Sequence, residues 1–395
     1  MGWLDYVGSM LGNAVKSLIT PAVSAVRDQT LRDFEQLYYG EQYKGQGLSP
    51  SWDKIPPGVK APPLRRQEPS VQYDLPRLIV DRPTALLFGE GRAPDLVFES
   101  DTQQDVSEVN AWLSRVAEES QLYSKLLVWA RLACTTGSGC ITWAVVDGEL
   151  EFQPRKSQHC YPTFDPRRPG RLTGLEIRYK FCQEELDTTD DGRSVIRPVE
   201  YWHREQYTDA LHIVFKPSRV SVGLPKELSE ELQHNLGRVP AVWVKPIDDA
   251  EPASSDGMSL LDGLSDLFKD IDYTLTQKSR ALRYNLEPER AYFGLSEEER
   301  QRVANGGPIP SFFRPKTEGA AVELIQMASE PQRAADEHVT AQRSRALETA
   351  RIVSPDPDKL LAAARSGAAL RILHGSMLEM VGELRAPFGA ALRDL

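Results

Sequence analysis

The sequence predicts an α+β fold, and three features of the chain lead to that prediction. Apolar residues recur at helical spacing in much of the first 136 residues. Short runs rich in β-branched and aromatic residues follow up to residue 247, which is typical of strands. From about residue 259 the chain returns to long helical segments. At 395 residues, with 41% hydrophobic and 26% charged residues, the composition is typical of a soluble globular protein of two or three domains.

The first third of the chain is predicted to be mainly helical. Residues 1–45 are predicted to be helical, and the proline-rich residues 46–72 are predicted to be a loop, because proline lacks a backbone N–H. The apolar segment from residue 78 to residue 88 indicates a buried helix or strand. Leu96–Ser100 is predicted to be a strand. Residues 104–136, which include Trp112, show helical periodicity.

The middle of the chain is predicted to be antiparallel sheet. Asp147-Gly148 is a strong signal for a two-residue hairpin turn. Further strands are predicted within the segments "LTGLEIRYKFC", "VIRPVEYWHREQYTDALHIVFKP" and "VPAVWVKP". The basic segment "DPRRPGR", residues 165–171, is interpreted as a hairpin tip at the surface rather than as a nucleic-acid contact.

After residue 247 the chain is predicted to form a helix, a small module and a second helix. The first helix, over residues 259–286, has an apolar face and is predicted to be capped by Ser259 or Asp256. The module contains two predicted strands and a short helix. The second helix is polar, and its alternating charges favour ion pairs between subunits. Polar helices that hold a module away from a body are stabilised when identical neighbours pack on them, which indicates a ring or bundle of subunits.

Composition and motifs argue against several functions. The net charge of −10 disfavours tight binding of nucleic acid, which needs lysine and arginine to displace phosphate counterions. The four cysteines and six histidines show no metal-site spacing, so we expect no metal and no cofactor. The glycine turns in "GEGRAPD" and "TTGSGC" lack the lysine of a P-loop, and no serine has the context of a nucleophile elbow. No apolar run is long enough to span a membrane.

The order of several segments resembles that of the portal proteins of tailed bacteriophages, in the branch with long non-contractile tails. The similar segments run over nearly the whole chain and include "LPRLIVDRPTALLFGE", "TTGSGCITWAVVDGELEFQPRKSQHCYPTFD", "LGRVPAVWVKP", "DGMSLLDGLSDLFKDIDYTLTQKSRA" and "RSGAAL". Each motif is weak alone, and it is their order and spacing that carry the resemblance.

The resemblance implies a portal fold with an α+β wing, long stem helices, a small α/β clip, a tunnel loop and a long C-terminal helix. The implied boundaries are 1–250 for the wing, 251–287 for the first stem helix, 288–329 for the clip, 330–352 for the second stem helix, 353–366 for the tunnel loop, and 367–395 for the long wing helix, with the crown of the family reduced or absent.

The resemblance also implies a function without catalysis. Such a protein forms a ring of about twelve subunits at one vertex of the capsid. Double-stranded DNA enters during packaging, and leaves during ejection, through the channel of the ring. The implied partners are other copies of the chain, the large subunit of the terminase motor, head-completion and adaptor proteins, and the major capsid and scaffolding proteins, with no membrane. The implied location is the virion, after assembly in the host cytoplasm.

Two groups of residues are expected to carry this function. The tunnel loop, which the resemblance places near DNA, contains Ser354, Pro355, Asp356, Pro357, Asp358, Lys359 and Arg365. Its prolines stiffen the loop, and its mixed, mildly acidic charge suits DNA that must slide without being gripped. The clip, which would dock the motor and the adaptors, contains Glu297, Glu298, Arg300, Arg302, Phe312 and Arg314.

Other interpretations stay open from the sequence alone. Residues 353–366 have the composition of an ordinary loop between helices, because Pro, Asp and Ser are common turn residues. The chain is alternatively a ring-shaped scaffold or adaptor that does not conduct DNA, or a soluble α+β enzyme whose site is assembled from dispersed residues. A ring with a channel wide enough for duplex DNA distinguishes a portal from an enzyme, and terminase bound at the clip distinguishes it from a scaffold.

Overall fold

The fold is α+β, as the sequence predicts, and combines helices with antiparallel sheets. A computed structural model describes residues 25–55, 60, 62–63, 66–89, 94–98, 106–188, 194–249, 254–286, 289–293, 297, 301, 321–325, 329–353, 371–372 and 374–395. Within these ranges no helix combines the length and the apolar character that crossing a membrane requires. The chain divides into two compact units, one formed by residues 1–42, 74–263 and 347–395, and the other by residues 43–73 and 264–346.

The helices of the first unit largely follow the predicted pattern. They are α1 (25–39), α2 (Leu75–Phe88), α3 (Ser107–Glu119), α4 (Leu122–Thr136) and α7 (Gly375–Asp394). The periodic segment 104–136 is two helices, because Gln121 takes a left-handed conformation with φ of 53° and ends the first helical run. The predicted final helix is shorter than expected, since His374 lies in a turn and the helix begins at Gly375.

Aromatic side chains join three of these helices in one core. The ring of Phe388 in α7 makes edge-on contacts with Trp129 in α4 and Phe88 in α2, with centroid distances of 5.1 and 5.5 Å. Such T-shaped pairs are favoured by the charge distribution of the rings. Trp112, by contrast, is half exposed on α3, so its place in the helical pattern does not make it a core residue.

The first sheet confirms the predicted hairpin. It has the order β2-β1-β9 and contains β1 (Gly139–Val146), β2 (Glu149–Arg155) and β9 (Ala241–Val244). Asp147 and Gly148 join β1 to β2 with φ of 51° and 88°, as a two-residue turn with two left-handed residues requires. The strand predicted at Leu96–Ser100 is wrong for Leu96–Phe98, which the structure assigns to no regular element.

The second sheet has six strands and includes two that the sequence does not predict. Its order is β3-β4-β5-β6-β8, with β7 paired to β5; its strands are β3 (Cys160–Asp165), β4 (Arg168–Thr188), β5 (Ser194–Tyr207), β6 (Leu211–Phe215), β7 (Ser218–Arg219) and β8 (Leu228–Gln233). Every residue of β8 is exposed, so this edge strand lacks the alternation that marks a half-buried strand. The basic segment predicted as a hairpin tip is the turn between β3 and β4.

The glycines of "TTGSGC" allow a close approach of two backbones. Gly137 follows α4 with φ of 83°, and its carbonyl accepts a hydrogen bond of 3.0 Å from the Gly257 N–H. A Cβ atom at Gly137 would lie 2.2 Å from the carbonyl oxygen of Gly257. The motif therefore has a packing role in this fold. This role agrees with the absence of the lysine that a P-loop needs.

The second unit contains the two long helices predicted after residue 247. Its elements are a 3-10 helix (Trp52–Lys54), α5 (Ser265–Leu286), β10 (Glu289–Phe293), β11 (Ala321–Ile325) and α6 (Ser329–Thr349). The predicted start and caps of α5 are wrong. The Ser259 hydroxyl donates to the carbonyl of Thr135 at 2.6 Å, and the Asp256 carboxylate pairs with Arg27. Both side chains are engaged by distant parts of the chain, and the helix begins only at Ser265.

Candidate assembly interface

The structure describes little of the two predicted sites. The seven predicted tunnel-loop residues lie outside the described residues, as do five of the six predicted clip residues. Glu297 is the exception: it is helical and exposed. The roles assigned to these residues therefore stay predictions.

The segments that lead to and from the predicted clip form one antiparallel arrangement. On the helices, Lys278 of α5 pairs with Asp336 of α6. On the strands, β10 and β11 pair in antiparallel register from Glu289 with Ile325 to Phe293 with Ala321. The Lys278–Asp336 pair and the strand pairs share one midpoint in the sequence, so the antiparallel order of the helices continues into the strands. The chain thus leaves and returns at neighbouring points, as a helix-module-helix arrangement requires.

A second polar contact fixes α5 against α6 nearer the start of α5. His338 Nε2 lies 2.7 Å from Asp270 Oδ2, and the Gln342 side-chain amide donates to the same oxygen at 3.2 Å. Asp270 and His338 are both about half exposed. Exposed pairs of this kind contribute little stability each, so they set the register of the two helices more than they hold them together.

The first half of α5 is anchored by a buried carboxylate. Asp272 is 1% exposed; it accepts hydrogen bonds from the Tyr43 hydroxyl at 2.9 Å and from the Tyr73 N–H at 2.8 Å. One turn later, the Thr276 hydroxyl accepts from the Val71 N–H at 3.2 Å. The proline-rich segment is therefore bound along α5 by its backbone. Sequence reasoning missed Asp272, although an aspartate and a threonine four residues apart on an apolar helix face signal buried polar contacts.

One end of the helical pair, toward the strands β10 and β11, has no buried side chain. None is buried from residue 277 to residue 286 of α5, or from residue 330 to residue 345 of α6. Leu282, placed on the apolar face of the predicted helix, is 41% exposed, and Leu286 is 80% exposed. Arg283 lies over the ring of Trp52 at 4.8 Å, which covers part of one face. Helices in proteins gain most of their stability from packing, so these exposed parts of α5 and α6 are suited to contact with another chain.

The charges of α6 are more satisfied within the chain than the sequence predicts. Asp336 pairs with Lys278, and Glu337 pairs with Arg333 at 3.0 Å along the helix. Arg351 contacts Glu383 at 2.9 Å. These three pairs form inside one chain, and the prediction that the charges of α6 pair between subunits stays a prediction.

The end of α6 is a defined anchor at the start of the predicted tunnel loop. Arg351 has a left-handed φ of 53°; its N–H donates to Glu348, and the N–H of Ile352 donates to Leu347. This pair of bonds is the Schellman arrangement that ends helices. Ile352 is buried, and the guanidinium of Arg82 donates to the carbonyl of Val353. The backbone at Ile352 and Val353 is therefore held in place.

A buried ionic cluster in the larger sheet is the strongest alternative as a chemical site. Glu205 is 5% exposed, and its carboxylate lies 3.2 Å from Arg155, 3.1 Å from His212 and 3.1 Å from the Tyr207 hydroxyl. Burial alone would raise the pKa of Glu205, but hydrogen bonds from His203 and His212 and the charge of Arg155 lower it well below its usual range. One buried carboxylate held by an arginine, histidines and a tyrosine has the form of a structural ion-pair network.

A cavity of about 320 Å³ in the first unit is a weaker alternative. It is lined by residues of α1, α2 and α4, including Tyr38 and Arg131. Burial, together with a hydrogen bond of 2.8 Å to Asp81, raises the pKa of Tyr38 to about 12. Arg131 pairs with the same carboxylate at 3.1 Å. Among the described residues, no group of three histidine, cysteine or carboxylate side chains is placed to hold a metal ion.

Comparison with known proteins adds no relationship. No family model matches the chain, and no curated protein matches it significantly.

Proposed function

We propose that the chain is the subunit of a bacteriophage portal: a ring of about twelve copies that stands at one capsid vertex and conducts double-stranded DNA. The proposal has the chain act without catalysis. The large terminase subunit and, later, head-completion and adaptor proteins would dock on the predicted clip. The major capsid protein and scaffolding protein would surround the ring during assembly in the host cytoplasm.

The observation that carries the proposal is the form of the antiparallel helical pair. Two helices of 22 and 21 residues run side by side, and their register continues into the strands that hold the ends of residues 294–320. At 1.5 Å per residue each helix is roughly 30 Å long. Residues 277–286 of α5 and 330–345 of α6 have no buried side chain within one chain. Such a pair suits a position between two identical neighbours.

The proposed mechanism is geometric. In a closed ring, the helical pairs of successive copies would form the wall of the channel, and the segments between β10 and β11 would form its docking end. The predicted tunnel loop follows the anchored Val353, so its base would stay in place while DNA passes. Pro355, Asp356 and Lys359 would then present a stiff, mixed-charge surface to the phosphates.

Native mass spectrometry of the purified chain, together with electron-microscopy class averages, tests the proposal. We expect closed rings of about a dozen copies, with a central hole wide enough to admit duplex DNA. Because ring subunits can stay monomeric before assembly, the experiment is repeated with the scaffolding protein. Closed rings without a hole would favour a scaffold or adaptor. Monomers under both conditions, at low and high salt, would overturn the proposal.

A further inference from the structure

The β4–β5 hairpin extends well beyond the sheet to which it belongs. At about 3.3 Å per residue, the 21 residues of β4 have a contour length of about 65 Å. From residue 181 to residue 188, the described partner of β4 is β5 alone. β5 is paired to β7 only at Tyr201 and Trp202. A two-stranded ribbon is marginally stable in water. The part of β4 that pairs with β5 alone, residues 181–188, is about 26 Å long at the same rise per residue, and it is suited to contact with another surface.

The far part of this ribbon is acidic and carries an exposed apolar residue. We call Cys182, Glu184, Ile196 and Pro198 the ribbon end. The pairing of Glu184 with Pro198, and of Leu186 with Ile196, places these four side chains on the same face of the ribbon. Ile196 is 60% exposed, and Cys182 and Glu184 are exposed as well. Residues 182–198 carry five carboxylates and two arginines, a net charge of −3, and one of the carboxylates, Glu185, pairs with Arg219.

The opposite end of the same strand lies beside a groove with the complementary character. A cavity of about 390 Å³ separates the start of β4 from β9. We call it the arginine groove, and the residues used below are Arg171, Leu172, Arg238, Val239 and Trp243. Val239 is buried, and Leu172 and Trp243 pack against the same core cluster, so the groove has an apolar floor.

Positive charge surrounds this groove. Arg167, Arg168 and Arg171 are exposed on and next to the β3–β4 turn. Arg238 lies over the ring of Trp143 at 5.7 Å and donates to the carbonyl of Asp394 at 3.0 Å. Two carboxylates, those of Asp165 and Asp394, stand among the four arginines and leave a net positive charge.

The start of β4, beside the groove, also has one edge that is unpaired among the described strands. β5 begins its pairing with β4 at Leu175, so residues 168–174 of β4 pair with β3 alone among the described strands. The second edge of this part of β4 is therefore available to an added strand, a common way for one chain to dock on another.

We propose that the ribbon end of one copy docks in the arginine groove of a second copy. The carboxylate of Glu184 in the ribbon end faces the arginines of the groove, and Ile196 covers its apolar floor. Because the two surfaces lie at opposite ends of one strand, the contact is head-to-tail, and its repetition gives a closed ring or a filament. The contact itself does not depend on DNA conduction; its closure into a ring rests on the proposed function.

Charge exchange tests the contact. We expect Arg171→Glu and Glu184→Arg each to weaken self-association about tenfold at low salt, measured by sedimentation velocity. The double variant carries both changes and should recover most of the association, because every contact then pairs exchanged charges. Glu230→Arg, on the exposed strand β8, is the matched control and should associate like the unchanged chain. Association that neither single variant alters, or that the double variant does not recover, would overturn the proposal and favour another occupant of the groove.

Crosslinking tests the geometry through the exposed Cys182. The variant Arg171→Cys places a second accessible thiol at the groove. A short bis-maleimide should then produce a ladder of covalent multimers, and the added change Cys182→Ser should abolish it. A ladder without a DNA-sized channel would support the contact and contradict the portal. Rings with a channel, but with no crosslinked ladder and no effect of the charge exchange on association, would agree with the portal proposal and refute the contact.

Discussion

Replacing Leu286 by glutamate should block assembly while leaving the fold of the single chain intact. Leu286 is the last residue of α5, and 80% of it is exposed in one chain. Full burial of a leucine side chain contributes about 1.5–3 kcal/mol, so covering this residue in a ring contributes about 2 kcal/mol at each interface. Leu286→Glu removes that contribution, and each interface should be at least about 30-fold weaker. The penalty repeats at every interface of a closed ring.

The same substitution should hardly affect the isolated chain. Changes at exposed positions usually alter stability by less than about 0.5 kcal/mol. A glutamate at the end of a helix is also slightly unfavourable, because it faces the negative end of the helix dipole. Leu286→Lys reverses that small effect and should still block assembly. If only the glutamate variant failed to assemble, the helix end rather than the interface would be responsible.

Val222→Glu is the matched control for Leu286→Glu. Val222 is 79% exposed and follows β7 in the other unit. We therefore expect it to leave both assembly and melting temperature unchanged. Mass photometry over a dilution series gives the distribution of oligomers, and differential scanning fluorimetry follows the fold. Unchanged assembly of Leu286→Glu, or equal loss in the Val222 control, would refute the reasoning.

Three further predictions concern stability. Asp272→Ala leaves two buried donors without an acceptor and should cost about 3 kcal/mol in urea unfolding, whereas Tyr43→Phe should cost about 1 kcal/mol; equal costs would contradict the anchoring role. Gly137→Ala meets a backbone oxygen and should destabilise the chain by about 2 kcal/mol more than Gly148→Ala, a position with similar φ but open space, as thermal melts will show. The pKa of Glu205 is lowered in the folded chain, so its stabilisation is present above the unfolded pKa of about 4.3 and is lost as pH falls further; unfolding between pH 5 and pH 3 should show a weaker pH dependence for Glu205→Gln, and an unchanged slope would argue against the cluster.

The sequence predicts elements well where local signals decide them. The turn at Asp147 and Gly148 needs two left-handed residues, and that local requirement is visible in the residue types. The two strands predicted within the clip, and the polar helix after them, also follow from local pattern. Strand β8 was missed because all its side chains are exposed and its glutamates do not favour strands; its pairing with β6 supplies what the pattern lacks.

The errors and omissions come from contacts between distant residues. Ser259 has the residue type of a helix cap, but its hydroxyl bonds to Thr135, which is far away in sequence. Asp272 is not a surface charge, because Tyr43 and the backbone of Tyr73 cover it. The only local sign of its burial is the position of Asp272 and Thr276 four residues apart on an apolar helix face. The roles of the tunnel loop and the clip came from family resemblance, and they stay predictions.

The pairing of Phe293 with Ala321 has a consequence for how such a protein diversifies. The segment between Phe293 and Ala321 begins and ends at two paired backbone positions. The strands therefore constrain only the distance between its two ends. A segment of another length or composition could be exchanged between them without changing the registration of the helices. In the proposed portal, a segment that binds a different docking partner is therefore exchangeable at this one place, while the rest of the chain stays the same.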